Sequence, residues 1–139
     1  MRENFSKGLQ RILKYSKEEA IRLGHSYVGS EHLLLGLIKD KDGRASKILT
    51  SIGCDLGDIK SMVEEMLKPS GGTMTLGHLP LTRRAERLLR SAFTEAQNNN
   101  NKIANQRHLL LSLCIETEGV VSEVFGSYGV DYDIIKSYL

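Results

Sequence analysis

A short leucine-rich motif, His32-Leu33-Leu34-Leu35-Gly36-Leu37, recurs 76 residues later as His108-Leu109-Leu110-Leu111-Ser112-Leu113. At this offset, residues 5–63 align with 81–139 without a gap, and 17 of the 59 pairs are identical. Such self-similarity at a fixed offset is the signature of a duplicated structural unit. The sequence therefore predicts two copies of one unit. The recurring turn and cap residues are Gly43 and Gly119, Gly53 and Gly129, and Asp55 and Asp131.

Each copy has the periodicity of helices. Apolar residues from Phe5 to Leu23 recur at spacings of three, four and seven, which predicts one long first helix. Ser30 is a good N-cap for a second helix that is apolar nearly all round and therefore buried. Gly43 separates that helix from a short third one, and Gly53 ends the third before a fourth. No stretch alternates as a strand does.

The domain organisation follows from the repeat. The fold class is all-α, with eight helices forming two four-helix repeats related by a pseudo-twofold axis. Repeat one covers 5–67, a linker covers 68–80, and repeat two covers 81–139, within one domain spanning 1–139. The linker holds both prolines of the chain, Pro69 and Pro80. The short run Asn98–Asn101 is expected to be a turn, since asparagine tolerates the left-handed conformation that ends helices.

Composition restricts the class of protein. The chain has 139 residues, net charge +2, 40% hydrophobic and 26% charged residues, which is ordinary globular composition. The apolar stretches at 33–38 and 109–115 are far shorter than the roughly 20 residues that a membrane-spanning helix needs. The N-terminus has no apolar signal region. We therefore expect a soluble, cytoplasmic protein without membrane contact.

One basic cluster could suggest nucleic acid as a ligand. It consists of Arg83, Arg84, Arg87 and Arg90, three of which share one helical face. Because net charge is balanced and no aromatic residues are interleaved, a solvated face is the favoured interpretation. We expect no nucleic-acid partner.

Enzyme signatures fail in this chain. Gly72 and Gly77 have the glycine spacing of a phosphate-binding P-loop, but His78 and Leu79 stand where that loop needs Lys and Ser/Thr. No metalloprotease, serine-hydrolase or cysteine–histidine pattern is found. We therefore predict a non-catalytic chain without a cofactor or metal of its own.

The histidines are interpreted as structural or solvent-exposed. His32 and His108 hold equivalent positions beside the leucine runs, which favours a hydrogen-bonded role near the core over a metal-ligand role. His25 and His78 are expected to be exposed loop residues.

Ser30-Glu31-His32 begins the second helix and is the best candidate site. Free backbone N–H groups at a helix start favour an anion, whereas the Glu31 carboxylate favours a cation such as a guanidinium. The simpler alternative is that a first-turn glutamate only stabilises the helix dipole. Both interpretations stay open at this point.

The segment Tyr27–Leu37, preceded by Glu18–His25, closely resembles the N-terminal domain of Clp-type ATP-dependent unfoldases, and the ClpC branch is the most similar. The resemblance covers the whole chain and is weaker in the second copy. It implies a domain that recruits adaptor proteins and unfolded or marked substrates for a hexameric AAA+ motor, which feeds a Clp protease. ATP and Mg²⁺ would belong to the AAA+ modules of the parent protein.

The resemblance also implies site residues. In ClpC-like proteins each repeat can hold a phosphorylated arginine, with a glutamate pairing with the guanidinium and a hydroxyl helping with the phosphate. Repeat one keeps this chemistry at Glu31, with Ser30 beside it and Ser6 near the start of the first helix. Repeat two keeps Thr82 but has Arg107 at the glutamate position, so a degenerate second site is expected.

An alternative remains open from the residues themselves. A free-standing helical-repeat interaction or regulatory protein, without any motor, would show the same repeats. The chain stops at Leu139 inside the predicted last helix of repeat two, which favours a domain of a longer protein.

Overall fold

The computed structural model describes residues 4–67 and 79–139, and eight α-helices form over these two ranges. This confirms the prediction of an all-α fold with eight helices. Most of the predicted linker, 68–78, lies outside the described residues. In chain order the helices are α1 (Lys7–Arg22), α2 (Ser30–Lys39), α3 (Arg44–Ile52), α4 (Leu56–Met66), α5 (Arg83–Asn98), α6 (Gln106–Leu113), α7 (Val120–Tyr128) and α8 (Tyr132–Ser137).

The two leucine-rich helices, α2 and α6, lie at the centre of the fold. Helix α1 packs along α2, and α5 packs along α6, while α1 also contacts α6 and α5 contacts α2. These reciprocal contacts are those expected of two repeats related by a pseudo-twofold axis. One hydrophobic core runs through both repeats, because the leucines of each central helix are buried on nearly all sides. They are Leu33, Leu34, Leu35 and Leu37 in α2, and Leu109, Leu110, Leu111 and Leu113 in α6.

The predicted helix ends are confirmed in both repeats. Gly53 ends α3 with φ 113°, and Gly129 ends α7 with φ 66°. Both angles are left-handed, which glycine adopts without steric cost. Asp55 and Asp131 then cap α4 and α8, each accepting a hydrogen bond from the backbone amide three residues later.

The asparagine run forms the expected turn. Helix α5 ends at Asn98, and Asn100 has φ 60°. Gly24, 76 residues earlier, has φ 77° at the corresponding turn. Asparagine therefore takes the left-handed position that glycine holds in repeat one.

The predicted N-cap role of Ser30 is wrong. The N-cap of α2 is Gly29, and Ser30 is already helical. The side chain of His32 reaches back to this N-cap residue, and its Nδ1 accepts a 2.9 Å hydrogen bond from the Gly29 amide. His108 Nδ1 does the same for Asn105 at the start of α6, also at 2.9 Å. This confirms the structural role predicted for the two equivalent histidines.

A buried serine hydroxyl lies at the same helix crossing in both repeats, but on a different helix in each. In repeat one, Ser16 on α1 donates a hydrogen bond from Oγ to the Ile12 carbonyl at 2.8 Å. In repeat two, Ser112 on α6 donates to the equivalent Leu88 carbonyl at 2.6 Å. Ser112 corresponds to Gly36 on α2, where a Cβ would lie 2.6 Å from the Ile12 carbonyl oxygen. The two repeats therefore fill the same helix crossing with a serine from opposite sides.

Candidate docking site at the paired helix starts

The segments that lead into the helices are exchanged between the repeats. The Thr82 amide donates to the Val28 carbonyl at 2.9 Å, so the start of α5 in repeat two pairs with the segment before α2 in repeat one. The Ser6 amide donates to the Ala104 carbonyl at 2.8 Å, which pairs the start of α1 with the segment before α6. Each candidate site is therefore built from both repeats.

This exchange changes which predicted residues are neighbours. The sequence-based grouping placed Ser6 with Glu31 inside repeat one. The structure instead brings Thr82 to the segment that carries Glu31, and Ser6 to the segment that carries Arg107. The grouping assumed that a site stays within one repeat, and backbone pairing between repeats overrides that assumption.

Both hydroxyl residues are helix N-caps. Ser6 Oγ accepts from the Leu9 amide at 3.1 Å, and Thr82 Oγ1 accepts from the Ala85 amide at 3.0 Å. A hydroxyl that accepts in this way still has its own hydrogen to donate. Each hydroxyl can therefore cap its helix and donate a hydrogen bond to an anionic ligand at the same time.

Glu31 lies in the first turn of α2 with its side chain 17% exposed. One carboxylate oxygen is 3.8 Å from His32 Nδ1. A Cβ at Gly29 would approach that oxygen to 2.5 Å, so the absent side chain at Gly29 leaves room for the carboxylate. Glu31 is thus held close to the protein surface yet remains accessible, as a residue that binds a cation should be.

His25 is buried, which overturns the expectation that it is an exposed loop residue. It is 1% exposed, and its Nδ1 lies 2.8 Å from His32 Nε2. Because His32 Nδ1 accepts from a backbone amide, His32 Nε2 carries the hydrogen of the neutral ring and points it at His25. Burial, followed by the neighbouring His25, lowers the pKa of His32 to about 4. His78 lies outside the described residues.

The start of α6 carries the opposite charge. Arg107 is half-buried in the first turn of α6, and its Nε has no hydrogen-bond partner in the described part of the chain. The pKa of His108 next to it is lowered, first by burial and then by the charge of Arg107. The two helix starts are therefore equivalent in backbone but not in electrostatics.

A cavity of about 300 Å³ lies on the repeat-two side of the first helix start. The Glu116 carboxylate in its wall is 8% exposed, and its pKa is raised, chiefly by burial and also by Glu31. Arg84 and the Ser30 hydroxyl offset part of that rise. Sequence reasoning did not single out Glu116. Its alignment with Asp40 could have identified it, because an acidic residue follows the central helix in both repeats.

The basic cluster on α5 is partly neutralised. Arg84 lies 3.8 Å from Glu116 and 3.5 Å from Glu118, and Arg90 lies 3.9 Å from Glu86. Such exposed ion pairs on one helix face favour the solvated interpretation over a phosphate-binding stripe.

The described residues contain neither a metal-binding cluster nor a membrane-spanning helix. No group of three or more histidine, cysteine, aspartate or glutamate side chains within 4–67 and 79–139 could hold a metal ion. Among the helices of these same ranges, none combines the length and apolar character needed to cross a membrane.

Sequence comparison identifies the family. The model of the Clp repeat (R) N-terminal domain matches twice, at residues 4–90 and 80–139. The chain belongs to this family. It is 37% identical over 137 residues to the chloroplastic chaperone protein ClpC1 of Oryza sativa subsp. japonica, which covers 99% of the chain and 15% of that relative. An equally covered relative is the chloroplastic ATP-dependent Clp protease ATP-binding subunit ClpA homolog of Brassica napus, 36% identical and matched over 16% of its length.

Solved structures agree with the fold of the Clp N-terminal domain. The N-terminal domain of Hsp104 from Candida albicans superimposes with a TM-score of 0.79 at 19% identity, covering 96% of this chain and 87% of that one. The chain thus spans about a seventh of the curated relatives it matches and most of a solved N-terminal domain. This confirms the predicted resemblance and the double-repeat fold.

Proposed function

We propose that this Clp N-terminal domain recruits adaptor proteins and unfolded or marked substrates for an ATP-dependent unfoldase. The observation that carries the proposal is the family match over both repeats, together with relatives whose remaining length is several times that of this chain. The Brassica napus relative is named as the ATP-binding subunit of an ATP-dependent Clp protease. ATP and Mg²⁺, the hexameric assembly and the protease contact would all belong to the rest of such a protein, and this chain would catalyse nothing. We further propose a cytoplasmic location, although the relatives compared are chloroplastic.

Capture of clients tests this role. The 139-residue chain, immobilised and folded, should retain adaptors or substrates that the full-length unfoldase retains. A variant with both candidate residues removed, Glu31→Ala with Thr82→Ala, should retain less, while an exposed change elsewhere such as Lys47→Ala should not matter. If the full-length protein captured clients and the isolated chain captured none, the recruitment role would be wrong.

We also propose that the first helix start recognises phosphoarginine. Glu31 would pair with the guanidinium, because a partly buried carboxylate binds such a planar cation strongly. Thr82, Ser30 and the free amides at the start of α2 would hold the phosphate. Support comes from the exchanged pairing, which gathers a carboxylate and a hydroxyl residue around one helix start.

The second helix start should not take the same ligand. Arg107 stands where Glu31 stands in repeat one, and a cation there repels a guanidinium. Ser6 pairs with the segment that carries Arg107, so the repeats differ at the residue that would bind the guanidinium. The proposal is therefore one phosphoarginine site per chain.

A further inference from the structure

The acidic residue that follows each central helix has different surroundings in the two repeats. Asp40 follows α2, and Glu116 stands 76 residues later, after α6. In repeat one, Arg11 donates to Asp40 Oδ2 from Nε at 3.2 Å and from Nη2 at 3.0 Å. Gln106 adds a 2.7 Å hydrogen bond to the same oxygen from its amide Nε2. Asp40 is therefore satisfied by a guanidinium and an amide.

Glu116 has neither of these partners. Within the described ranges, no guanidinium or side-chain amide donates a hydrogen bond to either of its carboxylate oxygens, although the side chain is only 8% exposed, and the Ser30 hydroxyl is the one side-chain donor that lowers its pKa. The Arg84 guanidinium is 3.8 Å away, which is too far for a hydrogen bond. A buried carboxylate left in this state costs free energy that a donor from outside would recover.

The difference comes from a pair of substitutions that exchange a long and a short side chain. In repeat one, Gln106 crosses from the other repeat and also bonds the Gly8 carbonyl, at 3.2 Å. In repeat two the equivalent positions are Ser30, whose shorter side chain offers a hydroxyl in place of the amide, and Arg84, whose guanidinium lies 3.5 Å from Glu118. A cavity of about 300 Å³ lies beside Glu116 in repeat two, lined on one side by Arg84 and Arg87.

We propose that the cavity beside Glu116 binds the guanidinium of an arginine side chain on a partner protein segment. Repeat one shows the expected geometry, since Arg11 bonds the equivalent carboxylate there. Its counterpart Arg87 lines the cavity in repeat two but makes no hydrogen bond to Glu116. Two carboxylate oxygens without a guanidinium or amide donor suit the two parallel N–H groups of a guanidinium better than the single point charge of lysine. Leu88 and Ile115 line the cavity and can pack against the aliphatic part of the arginine.

The charges around the cavity favour a cation over an anion. Glu118 lies at the rim and Glu31 is close enough to raise the pKa of Glu116. With Glu116 these are three carboxylates against two guanidiniums, those of Arg84 and Arg87. The inference uses the proposed recruitment role only to supply the arginine on a client, and it needs no phosphorylation.

Arginine itself is the probe. N-acetyl-arginine amide is titrated into the ¹⁵N-labelled 139-residue chain, with N-acetyl-citrulline amide as the neutral counterpart of nearly the same shape. We expect saturable shifts at the amides of Glu116 and Thr117 with the arginine compound, and at least tenfold weaker binding of the citrulline compound. Glu116→Gln should weaken arginine binding about tenfold, the loss expected for a buried charge-assisted contact.

Two further variants make the result decisive. Glu118→Gln removes the same charge from a side chain that is 83% exposed at the rim, and should change binding less than twofold. Ser30→Gln combined with Arg84→Gly transplants the pair found beside Asp40 in repeat one, so that an amide can bond Glu116, and should abolish binding while circular dichroism still shows a folded helical protein. Equal binding of the citrulline compound, equal effects of the two glutamate variants, or no arginine binding would overturn the inference.

The two proposals fail separately. Titration of phosphoarginine into wild type and Glu31→Gln tests the proposed phosphoarginine site. Titration of N-acetyl-arginine amide into wild type and Glu116→Gln tests the proposed cavity site. Arginine binding without phosphoarginine binding would support the cavity proposal and contradict the phosphoarginine proposal. Phosphoarginine binding without arginine binding would support the phosphoarginine proposal and contradict the cavity proposal.

Discussion

Thr82 donates its backbone amide to the carbonyl of Val28 at 2.9 Å, which fixes the start of repeat two against the segment that carries Glu31. The equivalent bond from Ser6 to Ala104 fixes repeat one against repeat two in the same way. The duplication is therefore not two independent units side by side. Each repeat completes the helix start of the other, so substitutions in one repeat should alter binding chemistry encoded in the other.

The exchanged pairing predicts unequal effects for two similar hydroxyl residues. Thr82→Ala and Ser6→Ala each remove a helix N-cap and should each lower the free energy of unfolding by about 1 kcal/mol. Only Thr82→Ala should also weaken phosphoarginine binding, because only Thr82 pairs with the segment that carries Glu31. Urea unfolding and calorimetric titration separate the two effects, and Thr82→Ser is the control that keeps the hydroxyl. A loss of binding in Ser6→Ala alone would mean that the site stays within one repeat.

Burial of His32 predicts a stability that declines in mild acid. The pKa of His32 is about 4 in the folded protein and about 6.5 in an unfolded chain. Between these values the unfolded chain binds a proton that the folded protein excludes, so this contribution is lost as pH falls from about 6.5 to 4, to a total of about 3 kcal/mol.

Urea unfolding of wild type and His32→Asn at several pH values measures this contribution. Carboxylates titrate in both proteins, so the difference between the two curves isolates the histidine. The variant should be less stable at pH 7 and should lose less stability on acidification. Parallel curves would show that His32 is not responsible.

The same residue introduced at equivalent positions of the two repeats should have different costs. Gly36→Ala places a Cβ against Ser16 Oγ and 2.6 Å from the Ile12 carbonyl oxygen, so α1 and α2 must separate, at a cost of ~3 kcal/mol. Ser112→Ala adds no atoms and loses one buried hydrogen bond, at a cost of ~1 kcal/mol. Thermal unfolding of both variants checks the order, and equal losses would contradict the packing described for the two crossings.

Restoring the acid at the second helix start should restore the second site. Arg107→Glu gives repeat two the carboxylate that Glu31 supplies in repeat one, next to the hydroxyl residue Ser6. We expect the number of phosphoarginine molecules bound per chain to rise from one to two in calorimetric titration. Arg107→Gln, which removes the cation without adding an acid, is the matched control and should stay at one. An unchanged number with a folded Arg107→Glu would mean that more than this position has diverged.

Much of the fold could be predicted from sequence because it depends on local signals. The repeat offset, the helical spacing and the glycine and aspartate helix ends at Gly53 and Asp55 all lie within a few residues of what they determine. The cap of α2 was missed because a histidine, rather than Ser30, reaches back to the preceding amide. His25 was misplaced because its burial depends on the neighbouring ring of His32.

The site depended more on tertiary structure. Glu31 is predicted from its motif alone, but the exchange that brings Thr82 to its segment is a long-range backbone pairing that no local pattern encodes. The isolation of Glu116 likewise depends on the length of a side chain in the other repeat, Ser30 against Gln106. Aligning the two repeats identifies these pairs only after the structure has shown that they face each other.

The most direct measurement is a calorimetric titration of the 139-residue chain with phosphoarginine, in wild type and in Glu31→Ala, with Glu65→Ala as a control for the loss of an exposed carboxylate. We expect one molecule bound per chain, at least tenfold weaker binding in Glu31→Ala, and no change in the control. Two equivalent sites in wild type, or binding indifferent to the loss of Glu31, would contradict the phosphoarginine proposal.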